Sequence, residues 1–385
     1  MISSKGKGKS KVFPKIIFLL IIALVIRLLV SYGQYSGDVK NHLTWGTSLI
    51  DSGPAGLYLR HFPGFNDANY PPVAIILFGA AAWLYQLIIG LVTWLNTNLR
   101  LFPSFLLPLS ASFNMQVAFL KLPSILADLG IGYLIYLTRP PKSHPLLYAS
   151  LYLFNPAIIY LSSVWGQIEP LPVAFLLLSY YFIKIKKSFY LSHLAFVIAI
   201  LCKQTALWLT PLFLIVWWKE GGFKKIISGL CLQIVFFFLI YLPFVAPIGA
   251  IGSYLSTLAG SSNHVTDQAF NLWYFIYGWA ARPDNITLLN VSVRTWSIIL
   301  VAASFVGFGF IYFRKYKLSR LGNYLFLFSL FAFFFQTRVH DRHLAPALPF
   351  LLISTLSAKF LIPLYLLLSA FHFLNLYLAL RLPFL

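Results

Sequence analysis

Long apolar segments recur along this 385-residue chain from residue 16 onward, and they constrain its fold more than any other feature. A helix needs roughly 20 apolar residues to cross the hydrocarbon core of a bilayer. Because backbone groups in hydrocarbon must bond internally, only helices or closed barrels can span it. The segments are continuous and do not alternate, which favours helices. We therefore predict an all-α polytopic integral membrane protein with about 11–13 transmembrane helices.

Charge supports this class over a nucleic-acid-binding protein. Only 10% of the residues are charged, and 59% are hydrophobic. A soluble domain carries about a quarter charged residues. The net charge of +20 comes from basic residues clustered in short loops between apolar segments. That pattern is typical of cytoplasmic loops of membrane proteins, so no nucleic-acid partner is expected.

The basic loops orient the chain across the membrane. Five basic segments are predicted to be cytoplasmic: 1–15, 138–144, 184–187, 219–225 and 314–320. The remaining connections then lie on the exoplasmic side: a long first loop 34–71, the turns 164–170, 202–205 and 337–343, and a second long loop 244–290. Nearly all the unusual polar residues fall in these exoplasmic connections. We interpret residues 1–385 as a single transmembrane domain.

One inconsistency remains near the N-terminus. Three clear spans precede residue 138, at about 16–33, 72–95 and 117–138, whereas the orientation requires an even number. The proline-broken segment 101–113 is either a fourth span or a re-entrant pass.

The first exoplasmic loop holds three of the nine acidic residues: Asp38, Asp51 and Asp67. Asp38 lies where the first span meets the loop, a position where burial raises the pKa of a carboxyl group, as suits a general base. Asp51 and Asp67 lie in Gly- and Pro-containing stretches and are interpreted as helix or turn caps.

Two further exoplasmic turns carry candidate binding residues. Trp165, Gln167 and Glu169 combine an indole, an amide and a carboxylate, which suits a sugar, although an interfacial anchor with a capping acid has the same composition. Lys203 and Gln204 stand between two apolar segments, where a lysine either extends to the surface or pairs with an anion.

The same question arises for Lys121 and Asp128, which lie one heptad apart and are interpreted as an intramembrane ion pair. Asn271 is a further candidate, in the second long loop.

The segment 337–343 is the most polar turn of all. Arg338 and Arg342 are suited to hold a phosphate. His340, Asp341 and His343 resemble metal ligands, but an H-x-x-H pair alone has low specificity. We expect neither a metal nor another cofactor.

Several segments together resemble a known family. In chain order they read FLKLPSILADLGIGYLIYL, NPAIIYLSSVWGQIEPL, CKQTALWLTPLFL, NLWYFIYG and TRVHDRHLAPALPFLL, after a first loop that begins GDVKNHLTWG. This order is similar to that of bacterial and archaeal homologues of the second mannosyltransferase of GPI-anchor synthesis, within the GT-C superfamily of polytopic glycosyltransferases. Two motifs depart from the family: Glu169 replaces the Asp of WGQ-x-D, and His-Asp-Arg-His at 340–343 replaces His-Glu-Arg-Tyr.

The resemblance implies a GT-C-like fold and an inverting hexosyltransferase, with mannose the expected sugar. The donor would be a polyprenyl-phosphate sugar and the acceptor a hydroxyl of a lipid-linked or glycan molecule, at the exoplasmic face of a prokaryotic cytoplasmic membrane. Asp38 is the expected base, with Glu169 the next candidate, and Lys203, Arg338 and Arg342 would stabilise the leaving phosphate.

The remaining candidates would shape the pocket for sugar and acceptor: Trp165, Gln167, Gln204, Asn271, His340 and Asp341. A flippase or transporter for lipid-linked sugars is an alternative, although its binding groups should lie near the bilayer midplane. A polysaccharide polymerase or ligase is another, which long-chain products would distinguish.

Overall fold

The computed structural model describes residues 9–139, 143–259, 262–279 and 281–384. Most of the predicted cytoplasmic N-terminus 1–15 therefore lies outside the described residues. So do the middle of the basic segment 138–144 and short parts of the loop 244–290.

The described chain is 76% helical. Its α-helices are α1 (Lys9–Ser31), α2 (Gly37–Ser52), α3 (Pro72–Asn98), α4 (Leu106–Ser110), α5 (Phe113–Thr138), α6 (Pro145–Leu153), α7 (Pro156–Ile159), α8 (Pro170–Tyr181), α9 (Phe189–Cys202), α10 (Thr210–Tyr241), α11 (Pro247–Ala259), α12 (Leu272–Tyr277), α13 (Val293–Arg314), α14 (Leu321–Phe335), α15 (Ala347–Leu352) and α16 (Ala358–Leu380). Two-residue strands β1 (Thr287–Leu288) and β2 (Val291–Ser292) form one antiparallel hairpin.

Among the described residues, seven helices are long and apolar enough to cross a membrane, or eight if the bent pair α6 and α7 forms one span. This confirms an all-α, multi-pass membrane protein. The count is lower than the predicted 11–13 because α8 and α9, at 12 and 14 residues, fall short of a membrane length, and because α10, which breaks at Gly222, counts once. The number of crossings stays a prediction.

Helix α10 contains two antiparallel segments, since Gly222 has a φ of 69° and ψ of −179°. Phe196 of α9 contacts Phe213 before this break, and Val197 packs with Tyr241 after it. Such a reversal requires glycine, because a side chain disfavours positive φ.

The segment 72–112 leaves and returns to the same end of the bundle. The Tyr70 ring, just before α3, lies 5.4 Å from the Lys203 Nζ, and the Phe113 ring at the start of α5 lies 5.5 Å from that of Tyr35. No described residue of α3 beyond Tyr85 is buried. The segment thus removes the need for an additional span before α5.

The basic loops gather at one end of the bundle, here called the basic end. Lys219 lies 3.9 Å from the ring of Phe313, and Tyr316 donates a hydrogen bond of 2.7 Å to Glu220. Helix α9 starts here, with Phe189 against Gly221, and runs to Cys202 at the opposite end. That opposite end, the cavity end, holds the candidate site.

A buried polar group within the bundle corrects the predicted Lys121–Asp128 pair. Asp128 accepts hydrogen bonds from Tyr152 at 2.7 Å and Ser162 at 2.6 Å, and lies 3.5 Å from Arg27. We call Arg27, Asp128, Tyr152 and Ser162 the bundle cluster. Lys121 instead donates hydrogen bonds to backbone carbonyl groups. These carbonyls lie at the end of α1 and in the π-helical turn Tyr160–Trp165, where the helical backbone does not bond them.

Candidate functional site

A cavity of about 450 Å3 opens at the cavity end. Five segments that are distant in sequence form it: α2, the loop 66–70, the 3-10 turn Gln204–Leu209 with Lys203 before it, the end of α11 with Ser262 after it, and the segment 336–343. The side chains that matter most for its chemistry are Asp38, His42, Tyr70, Lys203, Trp208 and Arg342.

The turn 164–170 is shaped by Gly166, which ends the π-helical turn with a φ of 84°. A Cβ there would lie 2.6 Å from the Val39 side chain, so only glycine fits between this turn and α2. The carbonyl of Trp165 accepts a hydrogen bond of 2.9 Å from the amide of Ser36, just before α2. This contact fixes Asp38, in the first turn of α2, beside Gln167.

Glu169 connects the two cations of the site. Its Oε1 accepts a short hydrogen bond from Lys203 and lies 3.3 Å from the Arg342 Nε. Lys203 occupies the extended break between α9 and the 3-10 turn, with its ammonium over the ring of Tyr70. Glu169 itself is buried behind both cations and does not line the cavity.

Asp38 faces the cavity and completes the group. Its Oδ2 accepts a hydrogen bond of 2.8 Å from Gln167 and lies 3.4 Å from the Arg342 guanidinium. Burial opposes the charged form, but Arg342 and Gln167 outweigh it and lower the pKa of Asp38 to about 2. The predicted raised pKa is therefore wrong in direction. We call Asp38, Glu169, Lys203 and Arg342 the cavity cluster.

The neighbouring titratable groups are kept neutral or nearly so. Burial raises the pKa of Asp341 to about 7, although its carboxylate accepts a 2.8 Å hydrogen bond from the Arg342 amide. Burial lowers the pKa of His42 to about 3, and it lowers those of His340 and His343 well below the usual value. Three neutral imidazoles therefore adjoin the four charges of the cavity cluster.

Arg338, which was predicted to hold a phosphate, lies in the cavity wall, but its guanidinium already binds a carboxylate. It donates to both carboxylate oxygens of Asp284, at 2.7 and 3.2 Å. This contact holds the Arg338 backbone in the left-handed region, with a φ of 61°. The sequence interpretation missed Asp284 because nothing in its own loop distinguishes it from a turn residue.

Two other predicted binding residues have structural roles. Gln204 lines the cavity, yet its amide donates to the Thr257 carbonyl at 2.9 Å and ties the 3-10 turn to α11. Asn271 is buried, and its side chain caps α12 by accepting from the Tyr274 amide at 3.1 Å. Trp165 is buried too, with the Arg342 guanidinium 6.0 Å from its ring centroid.

Tyr70 and Trp208 line the cavity and were not predicted as site residues. Their signals were present but weak: Tyr70 precedes two prolines that start α3, and Trp208 follows the Lys-Gln pair. The Trp208 ring packs edge-on against His343, with 5.6 Å between centroids. Trp208 is half-buried and offers an apolar ring face beside hydrogen-bonding groups, as sugar-binding sites do, whereas Tyr70 is buried with the Lys203 ammonium over its ring.

The histidines and the aspartate of the segment 337–343 are not arranged as metal ligands. Within the described parts of the chain, no group of three or more His, Cys, Asp and Glu side chains is arranged to hold a metal ion. The rings of His340 and His343 lie 5.5 Å apart, and the His343 Nδ1 instead accepts from the His340 amide at 3.3 Å.

The arrangement combines a partly exposed, ionised carboxylate with two cations that a buried carboxylate holds. Such a site is able to accept a proton from a hydroxyl group and to stabilise a negatively charged leaving group. No protein-family model and no curated protein sequence matches this chain.

Proposed function

We propose that the protein is a membrane glycosyltransferase with a GT-C-like fold. It moves a hexose, mannose-like in the first instance, from a polyprenyl-phosphate sugar to a hydroxyl of a lipid-linked or glycan acceptor. The observation that carries the proposal is the cavity cluster: Asp38 opens to the same cavity as Lys203 and Arg342.

The reaction needs a base for the acceptor hydroxyl and cations for the leaving phosphate. Asp38 is ionised at neutral pH because its pKa is about 2. It accepts the proton of the acceptor hydroxyl as the oxygen bonds to the anomeric carbon. The bond from that carbon to the phosphate oxygen breaks, and the electron pair leaves with the phosphate. Lys203 and Arg342 stabilise the charge that grows there.

Glu169 positions the two cations, since one of its oxygens contacts both. Trp208 supplies a ring face against which a sugar packs. The basic loops at the opposite end favour a cytoplasmic basic end and an exoplasmic cavity, in a prokaryotic cytoplasmic membrane.

The test is transfer by purified protein in detergent, from radiolabelled polyprenyl-phosphate mannose, glucose or galactose to a membrane-lipid extract. We expect a labelled product, and we expect Asp38→Asn to lower its rate by roughly 10²–10⁴-fold because the base is lost. Asp51→Asn is the matched control: it makes the same change at an exposed position of the same helix.

The products separate the alternatives. Single-sugar addition supports the transferase, whereas long chains would indicate a polymerase or ligase. Absence of product with every donor, together with movement of the labelled lipid across liposome membranes, would assign the protein as a flippase. The complete burial of Arg27 and Asp128 counts against a ligand-binding site at the bundle cluster, such as a transporter would need within the membrane.

A further inference from the structure

The cavity has no surplus positive charge with which to attract an anionic ligand. The two cations of the cavity cluster are matched by its two carboxylates. Arg338 is matched by Asp284. The histidines of the cavity are neutral, because their pKa values are lowered by burial. A phosphate that binds here must therefore replace a carboxylate rather than add to an open cationic site.

The two carboxylates of the cavity cluster are not equally replaceable. The Glu169 side chain is only 3% exposed and contacts both Lys203 and Arg342. The Asp38 side chain is 38% exposed. Its carboxylate lies 3.4 Å from Arg342, about as far as that of Glu169 at 3.3 Å, and both distances are longer than a good charge-assisted hydrogen bond. Asp38 is therefore the more accessible partner of Arg342.

A second hydrogen bond can hold the Asp38 carboxylate in place when it separates from Arg342. Gln167 donates to it at 2.8 Å and is itself buried. The guanidinium fork of Arg342 would then be free on the side that faces the cavity, where it suits two phosphate oxygens.

Building on the proposed function, we propose that the phosphate of a polyprenyl-phosphate ligand binds Arg342 by displacing Asp38. Asp38 thereby becomes a free base only when this phosphate is in place. In the empty site, the carboxylate that abstracts the proton is held by the cation that later stabilises the leaving group. The donor breaks this pair, so an acceptor hydroxyl meets an active base only beside a bound donor.

If the phosphate displaces Asp38, then Asp38→Asn should change the ligand Kd in the opposite direction from most binding-site substitutions. Loss of a carboxylate that a ligand must displace strengthens binding of that ligand, whereas loss of an ordinary binding residue weakens it. The test measures the Kd of farnesyl phosphate by calorimetry, with the full-length protein in detergent micelles. We expect Asp38→Asn to lower this Kd roughly three- to tenfold, the range for release from a partly exposed ion pair.

Two controls isolate the charge effect. Farnesol has the same chain without the phosphate, so its Kd should be the same for wild type and Asp38→Asn. Asp51→Asn removes a charge from the exposed part of α2 and should change neither Kd. Thermal unfolding of each variant, followed by circular dichroism, checks that the fold is retained.

The outcomes distinguish this inference from the function on which it depends. Tighter binding of farnesyl phosphate alone supports displacement. An unchanged or weaker Kd in Asp38→Asn overturns displacement and leaves the transferase in place. Failure of wild type and variant alike to bind farnesyl phosphate overturns both.

Discussion

The bundle cluster and the cavity cluster use similar residues for opposite purposes. Each pairs an arginine with an aspartate, and each lies among apolar helices. In the bundle cluster, both Asp128 oxygens accept hydrogen bonds, and both Arg27 and Asp128 are fully buried. In the cavity cluster, by contrast, the Asp38 side chain is 38% exposed and lines the cavity.

This difference separates a cluster that stabilises helix packing from one that is able to bind a ligand. A fully buried ionic group surrounded by its own chain fixes the packing of helices and is closed to a ligand. A partly exposed ionic group beside an open cavity is able to exchange protein partners for ligand partners. Residue type alone does not distinguish the two, but access to the cavity does.

The largest expected effect is on the bundle cluster. Arg27→Met leaves Asp128 buried without its cation and should reduce stability by about 3–5 kcal/mol, seen as a lower melting temperature in detergent. Combining it with Asp128→Asn removes both charges and should restore much of the loss. Equal destabilisation of the single and double variants would show that packing, not charge, explains the effect.

Arg342→Lys tests the cavity cluster. The charge remains, but a lysine lacks the fork that contacts Asp38 and Glu169 together. We expect the transfer rate to fall by about 10²-fold with little change in melting temperature. Arg320→Lys, at an exposed position of the basic end, is the control and should alter neither quantity.

The raised pKa of Asp341 makes the stability of the cavity end depend on pH. Its folded pKa of about 7 lies above the ordinary value of 3.8, so the folded state holds a proton that the unfolded state loses. Stability should therefore fall as pH rises from about 4 to 7 and then level off. Asp341→Asn should raise the melting temperature at pH 8 by about 2–4 °C.

At pH 4 the Asp341→Asn variant and wild type should unfold at nearly the same temperature. A constant difference between them at both pH values would contradict a titrating carboxyl group at this position. Asp51→Asn provides the baseline for an exposed carboxyl group, with no expected difference at either pH.

The smallest expected effect concerns Asn271, which sequence reasoning placed with the binding residues. Because its side chain caps α12, Asn271→Ala should cost about 1 kcal/mol of stability and leave KM unchanged. Asn271→Ser keeps a capping oxygen and should recover most of the loss. A raised KM in Asn271→Ala without loss of stability would return this residue to the substrate site.

Apolar segment length predicted the helices well, because membrane thickness acts on each segment separately. It predicted α8 and α9 as membrane spans and missed that they are short, because short helices depend on their neighbours for burial. Arg27 was missed because its partner Asp128 lies 101 residues away. Asp38 was found from its position in the first loop. Its low pKa was not predicted, because it depends on Arg342 from the far end of the chain.

The π-helical turn Tyr160–Trp165 has a genetic consequence. A π turn contains one residue more than the α-helix that would otherwise continue. Deleting one codon would let the segment rewind as an α-helix, and each residue of such a helix turns by about 100°. Trp165 and the turn after it would then face a different direction. A single-codon deletion or insertion is thus a short mutational route by which descendants of this gene would acquire a differently shaped pocket while keeping every helix.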